Sequence, residues 1–396
     1  MSDARSPAMP LYAVLVAQFF SAFADNALLI VAIVLLKKSG SLDSVPILQM
    51  FFVAPFILLA PFVGVIADAY DKSRVMLVAN CIKLVGAGLM LAGAPPLLCY
   101  GLVGLGASAY SPAKYGILGQ LVEHSRLVKA NGMLEGSTIL AILLGVLAGG
   151  YLADVDVNYA FIGVLVAYTL AAAANLLIPR LAAARPRSSF NLFQIASEFG
   201  GVIRTVWASN DMRFSLIGTG LFWGTGSTLR LLLFAWVPVA LLITDNQTPS
   251  NLMGAVSVGI VVGAGLAGAW VSLARANLAL IGGVLLGPLV MLLAYQTSMA
   301  PVVAILVLIG AAGGFFVVPL NALLQDRGHQ TVGAGNVLAV QNLVENAGML
   351  AFVGLYALAK DLSIVNVAAM TGLAALVGIG WLAASRWRHH FRNGLV

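Results

Sequence analysis

Apolar residues in this chain come in long runs separated by short polar segments. A helix needs about 20 apolar residues to cross a bilayer. Twelve runs reach that length: 10–36, 46–67, 74–93, 97–119, 131–153, 158–179, 213–243, 251–272, 277–295, 301–324, 335–359 and 363–385. One polar stretch is long, 180–212, and it leaves six runs on either side. The pattern predicts an all-α membrane protein of twelve transmembrane helices in two six-helix bundles. The expected division is 1–180, a linker at 181–212, and 213–396 with a basic tail. Within the linker, Leu192, Ile195, Phe199, Val202, Ile203 and Val206 recur at helical spacing on one side, with Glu198 and Arg204 off that face. This predicts an amphipathic helix, either lying on the membrane surface or solvated as a plain linker.

Composition agrees. Of 396 residues, 61% are apolar and 9% charged, where a soluble domain carries roughly 25% charged residues. That excludes an ordinary soluble enzyme, a disordered chain and a nucleic-acid binder. The net charge of +6 reads as loop charge that orients a membrane protein. With the N-terminus inside, 15 basic residues fall in cytoplasmic segments: Arg5, Lys72, Arg74, Arg126, Lys129, Arg180, Arg185, Arg187, Arg204, Arg213, Arg275, Arg327, Arg386, Arg388 and Arg392. Only Lys37, Lys38 and Lys360 fall opposite, while Lys83, Lys114 and Arg230 lie inside spans. Both termini are therefore expected in the cytoplasm. The run after the polar residues 1–10 is too long for a signal-peptide core, so no cleaved leader is expected. Cys81 and Cys99 read as small core residues, and the four histidines supply no metal set. No Walker loop, His-x4-Asp acyltransferase pattern or metal helix occurs, so neither catalytic residues nor a cofactor are expected.

The halves resemble each other. Pro112 aligns with Pro319 and Asn131 with Asn336, at offsets of 207 and 205. Each half has a glycine-rich span near the proline, a short polar turn, then Asn opening the next span. Parallel six-span repeats build the major facilitator superfamily, which binds substrate where the halves meet. The segment 64–74, GVIADAYDKSR, resembles that superfamily's loop between its second and third spans. Gly64, Asp68, Lys72 and Arg74 fit a conformational loop, while Ala69 and Asp71 depart from the pattern. The resemblance implies a charge latch; a simple positive-inside loop explains the same residues.

Charges inside spans are costly and usually functional. Asp25 lies some 15 residues into the first span, about 22 Å along a helix and past the membrane midplane. Gln18, Ser21 and Asp25 share its stripe, with Asn26 beside it. Trp223, Ser227 and Arg230 share a stripe on span seven, the repeat equivalent. Asp25 and Arg230 sit at like depths. They would form a structural ion pair or hold a zwitterionic head group. A second group consists of Lys114, Tyr110, Asn131, Glu135, Gln341, Asn342 and Glu345, placed to line the inner cavity, to gate it or to hydrogen-bond helices. Lys83 has no partner that spacing identifies.

Eight segments carry a closer resemblance. They are QFFSAFADNALL at 18–29, PILQM at 46–50, AYSPAKYGILG at 109–119, LVKANGMLE at 127–135, FWGTGSTLR at 222–230, WVPVAL at 236–241, GGFFVVPLNALLQ at 313–325 and GNVLAVQNLVEN at 335–346. They are similar to the bacterial lysophospholipid transporter (LplT) family. Ala24 and Val344 depart, each standing where glycine is expected. The resemblance implies a flippase of the cell inner membrane that carries lysophosphatidylethanolamine from the outer to the inner leaflet. There an acyl-acyl carrier protein synthetase/acyltransferase re-acylates it in phospholipid remodelling. Its partners would be the lysophospholipid, membrane lipids and that enzyme. Arg230 would then meet phosphate and Asp25 the ammonium, with Phe23, Phe222 and Phe234 beside the acyl chain. A proton-coupled small-solute or drug transporter of the same fold is the alternative, with Asp25, Glu135 and Glu345 as proton carriers.

Overall fold

The computed structural model describes residues 9–122, 127–183, 191–359 and 361–393. Among the described residues every regular element is helical. In hydrocarbon each backbone N–H and C=O needs an internal partner, and a helix provides one within its own segment.

The first unit holds α1 (Met9–Lys38), α3 (Ala60–Ala69), α4 (Lys72–Leu91), α5 (Pro96–Leu121), α6 (Leu127–Val155) and α7 (Val157–Leu176). The second holds α9 (Asn210–Ala240), α10 (Gln247–Trp270), α11 (Ala279–Ala294), α12 (Met299–Gln330), α13 (Ala334–Leu358) and α14 (Ile364–Asn393). Two helices cross the division: α2 (Val45–Leu58), whose residues to Met50 group with the second unit, and α8 (Leu192–Ala208), divided after Phe199.

Nine helices among the described residues are long and apolar enough to span a membrane, and the α2–α3 pair makes a tenth. The remaining two expected runs form α5 and α9, of 26 and 31 residues. Their length suffices at 1.5 Å per residue, though their most apolar stretches are less apolar than those of the other spans, and they carry Lys114 and Arg230. The run 46–67, read as one span, is two helices bent by 63°. The break falls at Leu59, two residues before Pro61 in the first turn of α3. Pro61 has no N–H for the α2 ladder and its ring crowds the preceding turn, so the helix restarts there. Gly93 ends α4 at φ +91°, with Gly93 N–H on Met90 O and Ala94 N–H on Leu89 O, a turn that a side chain at that φ would strain.

Each unit is packed in the same way inside. In the first, α1 lies against α6 and α7, α4 against α5 and α7, and α3 against α5. In the second, α9 lies against α13 and α14, α11 against α12 and α14, and α10 against α12. Replacing each helix by its repeat equivalent converts the first set into the second. The crossing of α10 and α12 is so close that a Cβ at Gly259 or Gly263 would run into the backbone of Val307 or Ala311. Small residues at helix contacts permit such approach in membranes.

Candidate functional site

The first unit carries a charged cluster built from α1, α4, α5 and α7. Helical spacing aligns Gln18, Ser21 and Asp25 on α1. Gln18 Nε2 donates to Thr138 Oγ1 at 2.8 Å. Ser21 Oγ donates to Asn80 Oδ1 at 2.7 Å. Lys83 on α4 donates from Nζ to Ser21 Oγ at 2.9 Å and to Asp25 Oδ2 at 2.7 Å. Tyr168 on α7 donates its hydroxyl to Asp25 Oδ1 at 2.7 Å. The Lys83 ammonium also lies 5.0 Å from the ring centre of Tyr110 and 6.0 Å from that of Tyr168, within cation–π range. Both carboxylate oxygens of Asp25 are thus engaged. The Lys83 side chain is 2% exposed and that of Asp25 18%, so the cation is sealed in while the aspartate stays partly exposed.

Gly106 on α5 makes room for Lys83. A Cβ there would lie 2.6 Å from Ala79 O and 2.8 Å from Lys83 Cγ. Asn26 turns its amide back to Ala22 O at 2.8 Å. Tyr110, placed by sequence with the cavity or gate group, is buried with its ring beside Lys83. Lys83, Asn80 and Tyr168 join the cluster without a signal in the spacing of the sequence. A lysine in an apolar span signals that a counter-charge is near, but periodicity along one helix does not name a partner on another.

In the second unit, Trp223, Ser227 and Arg230 share a stripe of α9. Trp223 is exposed, with its ring 5.3 Å from that of Phe222 in edge-to-face contact. Ser227 donates to Gly224 O on its own helix at 3.0 Å, and Arg230 is half-buried. Phe222 and Phe234 are buried in the unit. Gln341 on α13 donates from Nε2 to Glu345 Oε1 at 2.7 Å and to Asn321 Oδ1 on α12 at 2.8 Å. Asn342, half-buried, accepts through its backbone carbonyl from Asn346. Asn321 joins this group unforeseen. Lys114 rests with Nζ 4.7 Å from the centre of the Tyr115 ring. The side chains of Asn131 and Glu135 lie outside the described residues.

In the loop segment, Asp71 caps α4 and accepts from the Ser73 N–H at 3.0 Å and from its hydroxyl at 2.9 Å. A residue that departs from the loop pattern thus starts the following helix. Lys72 is buried with its stem over Gly116, and Arg74 is exposed, 4.0 Å from Asp71. Gly64 is half-buried in α3, and the Asp68 side chain lies outside the described residues.

A further ion network closes one end of the second unit. Asp211, in the first turn of α9, accepts from Arg386 Nη2 on α14 at 2.6 Å and from Arg327 Nε on α12 at 3.0 Å. Arg386 also reaches Asn277 Oδ1 at 3.0 Å and lies over the Phe214 ring. Burial pushes the Asp211 carboxyl up. The hydrogen bonds and charges of Arg386 and Arg327 outweigh it and hold the group below its ordinary range. Among the described residues no group of His, Cys, Asp and Glu could hold a metal.

Two helical units of like packing, with charged clusters set into membrane-length helices, make a multi-pass helical membrane protein built from an internal repeat. The sequence profile of the Major Facilitator Superfamily matches residues 14–353. The chain is 52% identical to "Lysophospholipid transporter LplT" of Escherichia coli (strain K12 / DH10B) over 377 residues, 95% of each chain. It is equally identical to the protein of that name from Escherichia coli O127:H6 over 380 residues, 96% of each. Among solved structures, a POT family transporter in complex with a thioalcohol-conjugated peptide superposes with a TM-score of 0.74 at 13% identity, covering 96% of both chains. A bacterial homologue of the human lysosomal transporter Spinster, inward-facing and unoccupied, gives 0.68 at 14%, covering 97% of this chain and 96% of that one. At such identities these likenesses speak for the fold alone. The chain belongs to the Major Facilitator Superfamily and, within it, to the lysophospholipid transporter LplT family.

Proposed function

We propose that this protein moves lysophospholipid, mainly lysophosphatidylethanolamine, from the outer to the inner leaflet of a bacterial inner membrane. Transport proceeds by alternating access of the two bundles, with both termini cytoplasmic, and delivers lipid for re-acylation by an acyl-acyl carrier protein synthetase/acyltransferase. The observation that carries the reading is 52% identity over 95% of both chains to transporters of that name. The chemistry of the clusters supports it. A one-tailed lipid needs a polar path for its head and an apolar one for its tail. Asp25 stays partly exposed while Lys83 and Tyr168 fix its orientation. An ammonium head group meets a carboxylate already balanced by a lysine, so the attraction is moderate and release is not blocked. Arg230 takes the phosphate by charge-assisted hydrogen bonds. Gln18, Ser21, Asn26, Trp223 and Ser227 line the path. Lys114, Tyr110, Asn131, Glu135, Gln341, Asn342 and Glu345 belong to the cavity wall or gate, and the loop of Gly64, Asp68, Lys72 and Arg74 responds to conformation.

The test uses spheroplasts that lack their own lysophospholipid transporter but retain the acyltransferase. Labelled 2-acyl-lysophosphatidylethanolamine is added outside and its conversion to diacyl lipid is followed. Conversion that requires the chain, and falls with Arg230→Ala at matched expression, is the expected result. No conversion with folded protein in the membrane overturns the reading and favours a proton-coupled small-solute or drug transporter, whose uptake would follow the pH gradient.

A further inference from the structure

Helix α8 has two apolar surfaces where a surface helix needs one. Ile195 and Val206 are buried, and Phe199 and Val202 beside them are half-buried. At about 100° per residue these four share one stripe. On the flank next to it, Phe193 is 85% exposed, Leu192 62% and Trp207 41%. The polar residues Gln194, Ser197, Glu198 and Thr205 occupy the remaining arc, and Gln194 bonds Glu198 there. Water does not favour that bare flank, whereas the boundary between head groups and acyl chains does. Aromatic and leucine side chains enter that layer, and tryptophan is enriched in it.

An open cavity of about 520 Å³ lies on the same flank, lined by Gly200, Ile203, Arg204, Trp207, Ala208 and Arg213. Among the described residues it contains two guanidinium groups and no carboxylate. The nearby acid, Asp211, is occupied by Arg327 and Arg386. Arg213 spends one N–H on Asn210 Oδ1 at 2.8 Å, and a guanidinium has five. Arg204 has no hydrogen bond or ion pair among the described residues. The cavity is therefore positive, floored by an indole and open beside residues suited to acyl chains.

We propose that this groove binds the phosphodiester head group of an anionic phospholipid of the surrounding leaflet, of the phosphatidylglycerol class. Arg204 and Arg213 hold the phosphate, Trp207 lies at the glycerol level, and Phe193 and Leu192 enter the chains. On α9 the site uses Arg213 in the first turn, ten residues or more before Trp223, Ser227 and Arg230 assigned to transport, and its occupant is a resident lipid.

Trp207 provides the test. The full-length protein is placed in phosphatidylcholine nanodiscs with a minor fraction of either brominated phosphatidylglycerol or brominated phosphatidylcholine. The quenching that depends on Trp207 is the difference between wild type and Trp207→Phe. Near-surface arginines enrich anionic lipid by about fivefold each, so phosphatidylglycerol is expected to quench at a several-fold lower fraction. In Arg204→Gln/Arg213→Gln the two lipids become equivalent, while Arg204→Lys/Arg213→Lys keeps a preference. Both pairs are substituted at accessible positions, and an unchanged unfolding temperature confirms their folding. Equal quenching of the wild type by both lipids overturns the proposal and leaves only bilayer contact. Absence of quenching overturns it too and means that another protein or water covers the flank. Loss of the preference on adding inorganic phosphate overturns it in favour of a soluble-anion site.

Discussion

Lys83 Nζ stands 2.7 Å from Asp25 Oδ2, joining α4 to α1 through a pair of which the lysine side is 2% exposed. A lone charge at such a place carries a desolvation penalty of several kcal/mol. Two opposite charges, with Ser21 and Tyr168 filling further hydrogen-bond positions, relieve it. Breaking the pair on one side should therefore do more harm than removing it whole. Lys83→Met is expected to lower stability by about 3–5 kcal/mol. Asp25→Asn/Lys83→Met should recover much of that loss. Thermal unfolding of the purified proteins in detergent checks this, and a double variant as unstable as the sum of the singles would refute the coupling.

Tyr168 completes the carboxylate. Tyr168→Phe keeps the ring beside Lys83 and removes the hydroxyl that Asp25 Oδ1 uses. A hydrogen bond to a charged group contributes about 1.5–3 kcal/mol, and a loss of that size is expected in the same unfolding assay. An unchanged unfolding temperature would mean that Asp25 Oδ1 does not depend on the phenol.

The division between what was legible and what was not runs through this cluster. Gln18, Ser21 and Asp25 were readable because one helix fixes i, i+3 and i+7 on a stripe. Lys83 lies 58 residues from Asp25 and Tyr168 lies 143. Their meeting depends on how α1, α4 and α7 pack, which helical period does not encode. The repeat was readable from Pro112 and Pro319, and the matched helix packing of the two units agrees with it. The 63° bend at Leu59 was not read, although Pro61 stands in the sequence, because apolar periodicity continues unbroken across it.

Gly106 is where α5 closes on α4. Its missing side chain faces Ala79 O and Lys83 Cγ, and the first of these is backbone that cannot turn away. Gly106→Val should push the helices apart and cost about 1–3 kcal/mol, as overpacking does. The displacement also moves Lys83 relative to Asp25. Lysophospholipid uptake per folded molecule is therefore expected to fall more in Gly106→Val than in Gly88→Val, since nothing lies within 4 Å of a Cβ at Gly88. Equal uptake by the two would separate the helix contact from transport.

Asp211 offers a prediction in pH. It lies just before the apolar run of α9, and Arg386 and Arg327 hold its carboxyl below the ordinary value although burial opposes them. A carboxyl with a lowered folded-state value binds its proton more weakly folded than unfolded. Its stabilisation is therefore complete above the unfolded value and is lost as pH falls through the folded one. Asp211→Asn keeps the shape and removes the charge. The gap in unfolding temperature between wild type and this variant should be widest near neutrality and shrink as pH falls below about 4, the ordinary carboxylate range. Arg386→Met should remove more of the gap than Arg327→Gln, because Arg386 makes the shorter bond, at 2.6 Å against 3.0 Å, and also joins Asn277. A gap that stays constant with pH would show that Asp211 acts through shape, and that α9, α12 and α14 are joined at this end by packing without charge.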